Sequence, residues 1–238
     1  MAKKLELTPR LRLLVDWVPS GARLADVGTD HAYLPVWLVL QGRIPFAIAS
    51  DLRKGPLERA RETARTYGVE TYIDCRLCDG LAAVSAHEVD VIAIAGMGGE
   101  TIAAILEAAP WTRDGQHTLL LQPMTHIPKL RRYLVNSGYE IRREALVRDR
   151  GTIYPVMEVT AGEMTLTLGQ LYGGVRLLHD PLGDRYIIQQ IIRFQTALAG
   201  LNRSRRPEDR EKADGLREII TALLELREEW HHADRTGN

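Results

Sequence analysis

The chain has 238 residues, 45% of them hydrophobic and 26% charged, with 31 basic and 31 acidic side chains. This balance excludes a disordered or fibrous chain, and the zero net charge excludes a nucleic-acid footprint spread over the whole molecule, leaving only local clusters. No apolar run approaches the roughly 18 residues of a membrane span, and the start, MAKKLELTPRLRLL, lacks the apolar core of a signal peptide, so a cytoplasmic protein without membrane contact is expected.

In chain order, strand-like apolar runs recur as RLADV (23–27), FAIAS (46–50), TYIDCRL (71–77), DVIAIAG (90–96) and HTLLLQP (117–123). The near-continuous apolar stretches among them suit strands covered on both faces. Helical patterns fill the gaps at Tyr33–Leu40, Gly55–Tyr67, Glu100–Ala109 and Pro128–Ser137, with Gly68 and Gly138 where helix-ending glycines belong. Strand–helix alternation predicts a doubly wound α/β domain with a mostly parallel sheet. Beyond the fifth strand, YEIRREALVRDRG and TIYPVMEVTAG stand back to back around Arg150-Gly151 and predict an antiparallel pair at one sheet edge. A seven-stranded, Rossmann-like sheet closed in this way resembles the class I S-adenosylmethionine-dependent methyltransferases, and the domain is expected over residues 1–165.

The C-terminal part has another rhythm. Ile187, Ile191, Phe194, Leu198 and Leu201 form one helical seam, and Leu216, Ile219, Leu223, Leu226 and Trp230 a second. An antiparallel, coiled-coil-like helical hairpin over residues 180–232 follows, with Pro207 starting its second helix. It reads equally as a packing or dimerisation element and as an RNA-gripping arm, because its tip carries Arg203, Arg205 and Arg206. Monomer and weak dimer both remain open. A further basic stretch includes Arg131 and Arg132.

Ligands of a doubly wound sheet bind at the carboxyl ends of its strands. The first strand ends in Asp26-Val27-Gly28-Thr29-Asp30, the second in Ser50-Asp51-Leu52, and the third in Cys78-Asp79-Gly80. The fourth ends in Ala95-Gly96-Met97-Gly98-Gly99, and the fifth in Gln122-Pro123. Gly28 stands alone, without the G-x-G-x-x-G of a dinucleotide site, and Asp30 would repel a phosphate there. A cofactor with a ribose but no phosphate fits better, and S-adenosylmethionine is one. Its ammonium and sulfonium suit Asp26 and Asp30, while Asp51 would take the ribose hydroxyls and Asp79 the adenine amino group. Asp30 also reads as a cap for the helix that follows, and His31 as a solvated or capping histidine. Three glycines among residues 96–99 suit close approach of backbone to a ligand. Cys75 and Cys78 have C-x-x-C spacing, but on a strand they face opposite ways, so structural thiols and no metal are expected.

Three stretches carry a closer resemblance: RLRLLVDWVPSGARLADVGTDHAYLPVWLV, IAIAGMGGETIAAIL and LLLQPMTHIPKLRRYL. They resemble the bacterial TrmK family, the tRNA (adenine-22-N1)-methyltransferases, over nearly the whole chain. The resemblance implies methyl transfer from S-adenosylmethionine to N1 of adenine 22 in tRNA, leaving S-adenosylhomocysteine. It implies that Asp26, Gly28, Asp30 and His31 line the cofactor and the mouth of the active site, and that Arg10 lies on an N-terminal helix covering the pocket. Together with the strand ends, the expected cofactor residues are Asp26, Gly28, Asp30, Asp51, Leu52, Asp79, Gly80, Ala95, Gly96 and Met97. Asp30, Arg10 and His31 are the expected catalytic residues. Tyr33, Gly98, Gly99, Gln122, Pro123 and the arginines at 131, 132, 203, 205 and 206 are expected to meet tRNA. A methyltransferase for a small molecule or protein, and a non-catalytic RNA-binding relative, are the competing readings.

Overall fold

The computed structural model describes residues 5–203 and 206–236, so Arg205 lies outside the described residues. The described chain divides into two compact units, one of residues 1–143 and 147–164, the other of residues 144–146 and 165–238.

The first unit is built on a seven-stranded sheet in the order β3-β2-β1-β4-β5-β7-β6. Its strands are β1 (Leu24–Val27), β2 (Ala47–Asp51), β3 (Ile73–Leu77), β4 (Val91–Gly98), β5 (Thr118–Thr125), β6 (Tyr139–Asp149) and β7 (Thr152–Ala161). Strands β1 to β5 pair in parallel, with Asp26 opposite Ala49 on β2 and Ala93 on β4. Strand β7 runs antiparallel to β5. The expected fold class therefore holds. The apolar runs are strands for the reason their composition suggests: Leu24, Ala25, Ile92, Ala93, Ile94 and Leu119–Leu121 are inaccessible to solvent, as strands covered on both faces must be. The β6–β7 turn is made by Arg150 at φ +47° and Gly151 at φ +87°, the left-handed pair that suits a two-residue hairpin loop.

Helices α2 (Tyr33–Leu40), α3 (Lys54–Thr66), α4 (Gly99–Ala108) and α5 (Ile127–Asn136) match the expected patterns. Helix α1 (Pro9–Trp17) precedes β1, started by Pro9 behind Thr8 and buried through Leu14, Val15 and Trp17. Strand β1 lies between β2 and β4, so the chain leaves it in both directions and a crevice opens above its carboxyl end. The β4–β5 register slips twice between Ala95 and Gly98, so β4 ends irregularly at that crevice.

The second unit contains α6 (Leu168–Gly173), α7 (Gly183–Leu201) and α8 (Pro207–Thr236). Ile187 and Ile191 on α7 pack with Ile220, Leu223 and Leu226 on α8, and Phe194, Leu198, Ile219 and Trp230 complete the cluster. Ile220 takes the buried place expected for Leu216, which is only half-buried. Helix α6 was not visible in the apolar pattern. It lies close on α8 because Gly169 has no side chain: a Cβ there would stand 2.5 Å from the Ala222 carbonyl oxygen. Across the α7–α8 pair, Asp184 accepts from Arg227 Nε at 2.6 Å. Among the described residues no helix is long and apolar enough to cross a membrane.

Candidate active site

A cavity of about 480 Å³ opens at the carboxyl ends of β1, β2, β4 and β5. Five stretches distant in sequence meet there. Arg10 comes from α1, and Asp26, Gly28, Asp30, His31 and Tyr33 from β1 and the turn into α2. Asp51 comes from β2, Ala95, Gly96 and Met97 from β4, and Gln122 from β5. Eleven of the expected site residues thus line one space.

Asp26 is the buried carboxylate of the group. Burial, only partly offset by a hydrogen bond with Thr29, pushes its carboxyl up to about 6. An acid held near neutrality in a cavity takes up or releases a proton when a charged ligand arrives. Asp51 is also buried, and its Oδ1 accepts from the Arg53 backbone N–H at 2.7 Å. Gly28, with φ +74°, places its bare α-carbon against the Met97 thioether: a Cβ at Gly28 would fall 1.8 Å from Met97 Cε. The turn is closed by Thr29, whose Oγ1 accepts from Ala32 N at 3.0 Å, and by Ala32 itself in the left-handed region at φ +52°. Such a conformation in a buried non-glycine residue costs energy and marks a turn whose shape is imposed by its surroundings.

Asp30 does not cap α2. The residue at that cap is Ala32, with no side-chain capping bond. The Asp30 carboxylate instead accepts from Arg59 Nε at 3.0 Å and also from Arg59 Nη2. The Arg59 hydrogen bond, with His31 and Arg53 adding smaller attractions, holds Asp30 below the usual carboxylate range. Asp30 is therefore a persistent negative charge at an exposed rim, better suited to steadying positive charge than to taking a proton. His31 lies 3.6 Å from Asp30 and stacks on Tyr33 with ring centroids 4.9 Å apart and an interplanar angle of 8°. One face of Tyr33 is thus already taken.

Arg10 is fixed from three sides. Its Nε donates to Asp149 Oδ2 at 2.7 Å, its Nη1 donates to Gln122 Oε1 at 3.0 Å, and its Cζ stands 5.1 Å from the Tyr154 ring centroid. Gln122 is fully buried, and its Oε1 also accepts from Gly96 N at 3.2 Å, so one amide ties α1 to the end of β4.

Several expected positions lie elsewhere. Asp79 and Gly80 line a separate depression of about 230 Å³ with Thr101 and Ile105. Leu52 does not line the cavity and is 65% exposed. Gly99 is corrected as a substrate contact: it is buried, and a Cβ there would stand 2.6 Å from the His126 carbonyl oxygen, so it serves the packing of α4 against the turn into α5. Gly98 abuts Thr125, with its added Cβ 3.1 Å from Thr125 Oγ1. Pro123 is buried in β5 and does not line the cavity. Arg131 is corrected as a phosphate contact because it is fully buried on α5, between the buried Leu130 and Leu134 in sequence. Arg132 is exposed on the same helix, and Arg203 and Arg206 are exposed in the second unit. Cys75 and Cys78 are free thiols, both half-buried. Among the described residues no group of three or more His, Cys, Asp or Glu could hold a metal ion.

Sequence reasoning missed Thr8, Leu11, Thr29, Ala32, Leu34, Arg53 and Met124, which complete the lining. It also missed Arg59, Asp149 and Tyr154, which hold lining residues in place. No spacing rule joins Arg10 to Asp149 across 139 positions; only the sheet order does.

The cavity accepts positive charge through Asp26, Asp30 and Asp51, offers no glycine-rich cradle for a phosphate, and sits at the switch point of the sheet. This is the site of a methyltransferase, and residues 7–157 match the family model described as a methyltransferase domain. The chain is 36% identical over 177 residues to the tRNA (adenine(22)-N(1))-methyltransferase of Bacillus subtilis, covering 71% of this chain and 74% of that one. The crystal structure of the B. subtilis m1A22 tRNA methyltransferase TrmK superposes with a TM-score of 0.85 at 30% identity, covering 94% of this chain and 100% of that one. A Streptococcus pneumoniae protein solved in complex with S-adenosyl-L-methionine superposes with a TM-score of 0.82 at 33% identity, covering 93% of this chain and 100% of that one. The protein belongs to the tRNA (adenine(22)-N1)-methyltransferase family.

Proposed function

We infer that the protein transfers a methyl group from S-adenosylmethionine to N1 of adenine 22 in tRNA. The observation that carries this reading is the single cavity in which buried Asp26 and Asp51 stand with Arg10 and rim-exposed Asp30, in a chain of this family. The cavity fits the cofactor by its donor set. It holds carboxylates for an ammonium and a sulfonium, a buried acid at the end of β2 for ribose hydroxyls, and a glycine turn without a Cβ.

When bound, S-adenosylmethionine supplies an electrophilic methyl group, which adenine N1 takes up as the carbon–sulfur bond breaks and a carbon–nitrogen bond forms. The protein's part is mainly to position the two reactants. Asp26 and Asp51 orient the cofactor beside the bare Gly28 turn. N1 lies on the pairing edge of adenine, so the base must be unstacked to reach the cavity. Methylation leaves positive charge on the ring, and Asp30, held ionised by Arg59, steadies it. The exposed face of Tyr33 offers a stacking surface, with His31 backing the ring. Exposed Arg132, Arg203 and Arg206 offer contacts to phosphates, which position tRNA without reading its sequence.

Attack by ring N1, rather than by the exocyclic amine, makes a specific prediction. Nucleoside digests of tRNA treated with protein and cofactor should contain 1-methyladenosine when resolved by mass spectrometry. N6-methyladenosine as the direct product, under conditions that prevent rearrangement, would contradict this assignment.

A further inference from the structure

We propose that Asp149 is the positioning residue for Arg10, and that methyl transfer depends on it although it does not line the cavity. The proposal deepens the functional reading and rests on it. Asp149 is the last residue of β6, directly before the tight Arg150-Gly151 turn, and it is 6% exposed. A buried carboxylate is costly unless it is paired, and its partner here is Arg10 Nε at 2.7 Å. Nη1 of the same guanidinium donates to Gln122 Oε1, and its Cζ lies over the Tyr154 ring.

These contacts use the Nε–H and one Nη1–H of a planar fork of donors and leave the remaining N–H groups for the cavity that Arg10 lines. Gln122 holds Nη1 alone, so the Nε–H, and with it the direction of the fork, is left to Asp149. Charge adds a second reason. The cavity must admit a cationic cofactor, and an arginine there without a paired carboxylate would oppose that ligand. Asp149 thus does two things from outside the cavity: it fixes the direction of the Arg10 fork and it neutralises its charge. Because Asp149 sits on the hairpin and Arg10 on α1, the pair also ties the N-terminal helix to the far edge of the sheet.

The test is a double-mutant cycle on the full-length protein with Asp149→Asn, Arg10→Ala and both together. It reads kcat and KM for the tRNA transcript, melting temperature, and calorimetric affinity for S-adenosylhomocysteine. A misdirected group of this kind is expected to lower kcat by about 10²-fold. KM for tRNA should stay within roughly threefold, and the double variant should be no slower than Arg10→Ala alone, as coupled sites require. A kcat for Asp149→Asn within about twofold of wild type, or losses that simply multiply, would overturn the proposal. A purely structural role would lower the melting temperature and product affinity while leaving the two substitutions uncoupled. Proton exchange at the Arg10 Nε–H, followed by nitrogen-15 NMR, needs no activity: it should be slow in wild type and fast in Asp149→Asn, and equal rates would also overturn the proposal. If wild type methylates no tRNA while this contrast in exchange persists, the functional reading fails and the positioning of Arg10 by Asp149 stands.

Discussion

Asp26→Asn is expected to make the ligand-free protein more stable and at the same time to disable it. Burial pushes the Asp26 carboxyl up to about 6. An acid whose folded-state value is raised contributes stability that is complete below its unfolded value and is lost as pH rises through about 6. At pH 7.5 the ionised, buried carboxylate therefore costs the empty fold about 3 kcal/mol, which asparagine avoids while keeping the shape. The variant should melt roughly 5–10 °C higher than wild type at pH 7.5, with the gap closing toward pH 4. The same charge is what the cofactor's cationic groups meet. Wild-type affinity for S-adenosylmethionine should rise about tenfold from pH 5 to pH 7, as binding expels the proton, and level off above. Asp26→Asn should lose that slope and bind roughly 10- to 100-fold more weakly at pH 7.5. Melting curves and calorimetry at several pH values check both halves. A variant that melts below wild type at pH 7.5, or one that keeps the slope, would show that Asp26 is not the titrating group.

The second large effect is expected at Gly99. A methyl group there would stand 2.6 Å from the His126 carbonyl oxygen, 3.0 Å from the Thr125 carbonyl oxygen and 3.0 Å from Leu130 Cβ. Two of those neighbours are backbone and cannot swing aside, so the start of α4 must separate from the turn that leads into α5. Overpacking of this kind costs about 1–3 kcal/mol, and the shift would pass directly into the irregular end of β4 that lines the cavity. Gly99→Ala should therefore lower the melting temperature by several degrees and weaken cofactor binding as well. Gly96→Ala supplies the contrast. Nothing lies within 4 Å of an added Cβ there, and the strain comes only from its φ of +78°. Calorimetric melts of both variants decide the point: a Gly99→Ala protein as stable as wild type would mean that the two turns are not packed as described.

The two glycines show where sequence reading stops. Three glycines in residues 96–99 signal that backbone must pass close to something, and the requirement is identical whether that neighbour is a ligand or another turn. Gly96 lines the cavity and Gly99 does not. Strands β1 to β5 were legible because parallel strands covered on both faces must be apolar along their whole length. Helix α1 was expected only through the family resemblance, and the six residues of α6 were not expected at all, because a short helix shows too few turns to establish a period. Asp26, Asp30 and Asp51 at the strand ends could be placed from topology alone, since any ligand of a doubly wound sheet binds there, whereas Asp79 lines a separate depression. Asp149 could not, because its role comes from a contact across 139 positions that the hairpin creates. Arg131 misled for the opposite reason. Charge usually marks a solvent face, yet this arginine sits among the buried positions of α5.

Purified protein, tritiated S-adenosylmethionine and two unmodified tRNA transcripts, one with adenine and one with guanine at position 22, test the proposed reaction most directly. Label on the adenine transcript alone is the expected result, because only adenine offers an unprotonated N1 at that site. Equal label on both transcripts, or none on either while the cofactor binds, would contradict methyl transfer to adenine 22.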